Sequence, residues 1–226
     1  MGKRVFGWTF LIGIVLLSLI LASSITVAAC LISFLVFCAP ALCLYGKSLF
    51  HSASVFAKGS ILGLTTTLLF IPLVSRVIGF TILAGLISAS LATLLLKKTP
   101  NTESKSLSDE SWTLPCIFAL AVLFIISGPL LNVGRQLNDH YVYHSYFNQD
   151  SLKHWAYTHS LAKGDFPPED PYCAGQALRY YWLAYGPAAI AVSIGRGMVS
   201  AVEAVQLIGL WQTILLCFLM FSLVKS

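Results

Sequence analysis

The sequence predicts an all-α fold: a polytopic integral membrane helix bundle of about six or seven spans, with one long outer loop that contains a juxtamembrane helix. Three observations lead there. The chain is 57% hydrophobic and only 10% charged, with a mean hydropathy of +0.81, whereas average globular chains carry about 25% charged residues. No charge interrupts Val5 to Gly46. The ionisable groups gather instead in one stretch, Arg135 to Arg179. A soluble domain this apolar could not cover its surface with polar groups, so an ordinary cytosolic enzyme, a disordered tail and a disulfide scaffold are excluded. With ~20 apolar residues needed per span, 226 residues leave no room for a large soluble catalytic domain. Chemistry must sit in the loop or between helices.

Charges and turn residues punctuate the elements. The run from Val5 to Gly46 is too long for one span and suits two, joined at Ala22-Ser23-Ser24. Lys47, His51 and Lys58 mark the next loop. Gly59–Ser75 reads as a short third span, which Arg76 separates from a fourth, Val77–Leu96. Lys97 to Trp112 is polar, with a Pro100-Asn101 turn, and reads as a loop. Thr113–Gly134 makes a fifth span. Tyr180–Gly195, interrupted by Pro187, makes a short sixth, and Ser200–Val224 a seventh with Glu203 near its start. Three regions follow: a membrane bundle over 1–134, the polar outer loop over 135–179 and C-terminal spans over 180–226. The chain stops at Lys225-Ser226, directly after the last span, which predicts a fragment of a longer protein.

Orientation follows from the basic residues. A cytoplasmic N-terminus puts Lys3, Arg4, Lys47, Lys58, Lys97, Lys98, Lys105 and Arg196 inside. Arg76, Arg135, Lys153, Lys163, Arg179 and Lys225 then lie outside. That bias predicts a multi-pass protein of the plasma (inner) membrane with loop 135–179 outside. Lys3 and Arg4 before an apolar run also resemble a signal peptide, and Val27-Ala28-Ala29-Cys30 a lipoprotein cleavage box. Cleavage there would start the mature chain inside a span, so two packed spans are preferred. The basic residues form no long run, so no nucleic-acid partner is expected. Six cysteines occur without C-x-x-C spacing, and all but Cys173 lie in apolar runs, as small buried hydrophobes do.

The segment from Arg135 to Tyr172 holds four of the five histidines and five of the nine acidic residues. Titratable groups concentrated in one loop are the first place to look for function. Asp150 is a favoured N-cap and Gly164 a favoured C′ residue, so 151–163 is predicted helical. Leu152 and Trp155 on one face suit a helix lying on the membrane surface. Asp150 and His154 stand four apart. Phe166-Pro167-Pro168 cannot continue the helix, and Asp170-Pro171 suits an Asx-turn.

The order Asp150-x3-His154, Leu161-Ala162-Lys163-Gly164, Pro167-Pro168-Glu169-Asp170-Pro171-Tyr172, Ala174-Gly175 and Tyr180-Tyr181-Trp182 resembles the signature loop of large polytopic membrane proteins with a paired-tyrosine motif. Those proteins are similar to the C-type glycosyltransferases, which use polyprenyl-phosphate sugars. The likeness runs from about Tyr141 to Ala189. It implies a membrane glycosyltransferase-like protein acting at the outer membrane face, with a membrane lipid and a polyprenyl-phosphate sugar as partners. It also implies an acidic residue in the first large outer loop that binds acceptor or metal, a position Asp150 matches best. The chain departs from the pattern in having few spans after the loop.

Glycosyl transfer needs a base for the acceptor hydroxyl and positive charge for the leaving phosphate. Asp150 and His154 are the catalytic candidates. Lys153, Asp170, Arg179, Tyr180 and Tyr181 are the substrate-binding candidates. A divalent cation, Mg or Mn, is the expected cofactor where the lysines and arginines do not suffice. Plainer roles stand beside each. Asp150 needs no role beyond a cap, and His154 none beyond a solvated face. Asp165, Glu169 and Asp170 hold turns, and Tyr180, Tyr181 and Trp182 form an aromatic belt with Arg179 as a snorkelling anchor. Asp139, His140 and His144 make a weak metal signal, and no metal ligand is assigned. The alternative function is a non-catalytic scaffold or transporter-like bundle whose outer loop binds a lipid or protein partner. A transporter would place ionisable residues or broken helices at mid-membrane.

Overall fold

The structure, a computed structural model, describes residues 2–45, 53–98, 112–132, 135–138, 140–142, 148–179 and 182–225. Within them the chain is helical apart from one small hairpin and the irregular stretch 163–179. The helices are α1 (Gly2–Leu21), α2 (Ser24–Tyr45), α3 (Ala53–Ile78), α4 (Ile82–Lys98), α5 (Thr113–Asn132), α6 (Asn148–Ala162), α7 (Gly186–Gly195) and α8 (Ala201–Lys225). The hairpin pairs β1 (Arg135–Leu137) with β2 (His140–Val142), antiparallel. A 3₁₀ turn, Trp182–Tyr185, leads into α7.

Side-chain hydroxyls at the helix starts decide where three of these helices begin. Ser23 Oγ accepts the Thr26 N–H at 3.2 Å and opens α2. Thr81 Oγ1 accepts the Ala84 N–H at 3.3 Å and opens α4. Ser200 Oγ accepts the Val202 N–H at 3.2 Å and opens α8. Each satisfies a backbone donor that the helix itself leaves unpaired. The α1–α2 break falls at the predicted turn. The α3–α4 break does not: Arg76 lies in the last turn of α3, and the chain reverses at Gly79–Thr81 instead. An arginine at a helix C-terminus complements the dipole and need not end the helix, whereas Gly79 adopts φ +74, which ends it.

Three helices are long and apolar enough to cross a membrane: Ser24–Tyr45, Val55–Ile78 and Ala201–Val224. Thr9–Ile20, Ile82–Lys97, Thr113–Ile125 and Trp182–Gly195 are apolar but shorter. The first three are the spans found among the described residues.

Cross-chain contacts set the directions. The Thr26 hydroxyl donates to Glu203 Oε2 at 2.5 Å, and Phe34 meets Trp211 edge-on at 5.5 Å, so α2 and α8 run parallel. Trp211 Nε1 donates to Ser18 Oγ at 3.1 Å, and Phe10 lies 5.7 Å from Phe218, so α1 runs against α8. Gly63 sits against Ala41, and Thr67 Oγ1 donates to the Phe37 carbonyl at 3.2 Å, so α3 runs against α2. The start of α2, the end of α3 and the start of α8 therefore share one end of the bundle.

The predicted sixth span is the largest departure. Only its last ten residues form an α-helix, α7. Pro187 in its first turn offers its carbonyl to Ser33 Oγ at 2.6 Å, and Gly186 lies against Phe37, Leu68 and Phe80. Ser33 is nine residues into α2, roughly 14 Å along its axis at about 1.5 Å per residue. So α7 starts halfway along the bundle and ends where α8 begins. The Gly186-Pro187 pair breaks the apolar run in two, because proline cannot donate to a preceding turn.

Candidate functional site

The predicted helix over 151–163 is met by α6, Asn148–Ala162. It starts two residues before Asp150, so that residue lies in the first turn and not at the cap. Its C-terminus closes as glycine permits: Gly164 adopts φ +90 and its N–H reaches the Leu161 carbonyl at 3.1 Å. α6 runs alongside α7 in the same direction. His154 Nδ1 hydrogen-bonds the Tyr185 hydroxyl near one end. At the other end Ser193 Oγ donates to the Ala162 carbonyl at 2.9 Å. The physical reason is apolar: Tyr157 and Leu161 on α6 are buried with Phe37, Phe80, Tyr185, Ala189 and Ile190, a face too aromatic to leave in water.

A second clamp joins this unit to the bundle. The Phe80 N–H donates to the Gly164 carbonyl at 2.7 Å. A Cβ on Gly79 would lie 2.5 Å from that same oxygen. Two glycines with positive φ let two backbone turns touch where no side chain fits.

Residues 165–179 fold back along α6. Glu169 and Ala177 form an antiparallel bridge. The Asp170 N–H donates to the Gln176 carbonyl at 2.8 Å, and the Leu178 N–H to the Pro168 carbonyl at 2.8 Å. Glu169 Oε1 accepts the Gly175 N–H at 2.7 Å, and Asp170 Oδ1 the Tyr172 N–H at 2.9 Å. Ser160 on α6 donates to the Glu169 carbonyl. Both carboxylates thus hold turns, the plainer of the two roles weighed for them. Tyr172, 60% exposed, meets buried Tyr157 edge-on at 6.0 Å, and Lys153 Nζ lies 6.0 Å from the Tyr157 ring centre.

The predicted site residues fall into three groups. His154 and Lys153 lie on α6, half-buried, and Asp170 stands in the adjoining turn. Arg179 is exposed after the bridge. Asp150 belongs to α6 by its backbone, but its side chain lies outside the described residues, as do Tyr180 and Tyr181 altogether. Asp139 and His144 also lie outside them, and of His140 only the backbone is described, in β2. Among the described residues no three His, Cys, Asp or Glu side chains come together as a metal site.

Sequence reasoning missed Tyr185, Tyr157, Tyr172 and Ser193. One signal was available: Tyr185 precedes Gly186-Pro187, a breaker pair inside an apolar run. It also missed the partner of Glu203. That carboxylate lies against α2, where Thr26 donates to it and Ser23 Oγ sits 2.8 Å from Thr26 Oγ1. Thr158, one turn beyond His154, is fully buried and its hydroxyl has no hydrogen-bond partner.

Compared with known proteins, the chain matches no family model, no curated protein and no solved structure.

Proposed function

We propose that the protein is a multi-pass membrane glycosyltransferase of the polyprenyl-phosphate-sugar type, with the α6–Arg179 unit as its polar, substrate-facing element. One observation supports this reading above the others. The helix carrying Asp150, Lys153 and His154 and the turn carrying Asp170 are packed on each other and clamped to the apolar helices at Gly164 and Ala162. A polar unit fixed on lipid-facing helices suits a substrate whose tail lies in the bilayer and whose sugar lies in water.

In the reaction, Asp150 takes the proton of the acceptor hydroxyl as that oxygen bonds to the anomeric carbon. The bond from the anomeric carbon to the lipid phosphate breaks, and its electron pair leaves with the phosphate. Lys153 and Arg179 carry the charge that balances that phosphate. His154, tied to Tyr185, orients the first turns of α6. In this reading the loop faces the outside of the plasma membrane.

The test is Asp150→Asn in membranes supplied with a radiolabelled polyprenyl-phosphate hexose. Transfer is expected to fall at least a hundredfold, with insertion and expression unchanged. Transfer equal to that of the parent protein removes Asp150 from the chemistry.

A transporter-like reading has its own support: α7 is a broken helix that starts halfway along α2, with the ionisable His154 beside it. Vesicles holding the protein and a fluorescent polyprenyl-phosphate sugar separate the two. Movement of the label across the bilayer with its glycosidic bond intact favours transport.

A further inference from the structure

We infer that Gly164–Ser200 is a re-entrant segment that enters the membrane and returns to the face it came from. The predicted sixth span would make it a crossing. The inference rests on the membrane-crossing reading of α2, α3 and α8 and adds a geometry that composition did not suggest.

Four observations place the segment. Gly164 is bonded to Phe80 in the α3–α4 turn, at the end of the bundle where α2 starts. Glu203 is bonded to Thr26, so α8 starts at that same end. Between them, Gly186 reaches only the level of Phe37 and Leu68, and Pro187 the level of Ser33. From there α7 runs back, and its last turn leads through the left-handed Arg196 and Gly197 into α8. With α2 about 33 Å long at ~1.5 Å per residue, a hydrocarbon core of ~30 Å puts Pro187 near the bilayer centre. None of its described residues reaches the far side.

Backbone that leaves a helix at this depth is tolerated only when it is buried in protein or lines a watered cavity. The structure meets the first condition from Tyr185 to Val192, all buried, while ahead of them Trp182 and Leu183 are half-buried and Ala184 is exposed. Beside them lies α6 with Lys153 and His154 at the level of Tyr185. Ionisable groups at that depth belong to a crevice open to the loop face. The balance of basic residues does not distinguish the two topologies. Re-entrance moves Arg196 to the loop face and Lys225 to the opposite one, a one-for-one exchange.

Sidedness of single thiols tests the inference. In a background with Cys43→Ser and Cys173→Ser, which keeps the four buried cysteines, three single-thiol proteins are compared: one with Cys173 restored, one with Met198→Cys and one with Lys97→Cys. Met198 is exposed in the α7–α8 turn, and Lys97 is exposed near the end of α4, which leads away from the α3–α4 turn. A membrane-impermeant maleimide is expected to label Cys173 and Met198→Cys from one face, and Lys97→Cys from the other, each at least tenfold faster than after addition to the opposite face. Cys173 and Lys97→Cys on opposite faces, with Met198→Cys joining Lys97→Cys, overturns re-entrance and leaves the membrane-crossing reading standing. All three labelled from a single face overturns both.

Discussion

Helices α4 and α6 are of similar length and bury opposite kinds of side chain. In α4 the buried positions are Ala84, Gly85, Ser88, Ala89 and Ala92, while Leu83, Leu86, Ile87, Leu91, Leu94 and Leu95 point outward. In α6 the large Tyr157 and Leu161 are buried together with Thr158 and Ser160, while Leu152 and His159 are exposed. The first pattern is the one that solvation by lipid produces. Large apolar side chains gain nothing by hiding from hydrocarbon, so close backbone approach between small residues drives packing. In the second, large side chains fill the contact, and burying their apolar surface is the main driving force. One short chain therefore follows two packing rules, and the α6–Arg179 unit is the place where they meet.

The clamp at Gly79 is where that boundary is most easily broken. Gly79→Ala forces a Cβ against the Gly164 carbonyl and places alanine at φ +74, at a cost of about 3 kcal/mol for the strain and the displaced contact together. The expected outcome is selective. Limited proteolysis should cut between residues 164 and 179 far faster than in the parent, while helix content by circular dichroism stays near that of the parent. Equal loss of both would mean that the two regions are not separable.

Gly85→Leu probes the lipid-side rule. Its Cβ would meet Ile190 Cδ1 at 3.1 Å and Val36 Cγ1 at 3.3 Å, and overpacking of this kind costs roughly 2 kcal/mol. A lowered thermal midpoint in detergent is expected, with Leu91→Val, on the outward face, close to neutral. A larger drop for Leu91→Val would reverse the inside-out assignment of α4.

Thr26→Val removes the donor to Glu203 and leaves the carboxylate beside an apolar group. A loss of about 1.5 kcal/mol is expected from a bond to a charged acceptor. Glu203→Gln in the same background should recover part of it, because an amide tolerates the missing donor better than a carboxylate does. The smallest effect belongs to Tyr185→Phe, about 1 kcal/mol for one neutral hydrogen bond. In a double-mutant cycle with His154→Phe the two losses should not add. Full additivity would show that the pair contributes nothing.

Much of the helical layout was legible in residue order. Ser23 and Thr113 start helices where turn and polar residues suggested, and Gly164 ends α6 where a left-handed residue was expected. Arg76 misled, because a charge at a helix C-terminus complements the dipole as readily as it marks a loop. The candidate site was less legible. Asp170 fell in the turn its Asp-Pro pair implied, but its carboxylate is spent on the Tyr172 N–H. His154 looked solvated and is tied to Tyr185, thirty-one residues away. No periodicity within α6 encodes that partner.

Composition alone determined that this is a helical chain with segments suited to lipid, since 57% hydrophobic residues cannot be dissolved any other way. Local chemistry determined most helix starts and stops, because caps and positive-φ glycines act within a turn or two of themselves. Only the tertiary structure decided that the helix after the outer loop is short, Gly186–Gly195, and that α6 lies along it. Hydropathy measures how greasy a segment is, not how deep it goes. Depth is set by distant partners such as Ser33 for Pro187 and Phe80 for Gly164, which a linear reading cannot pair.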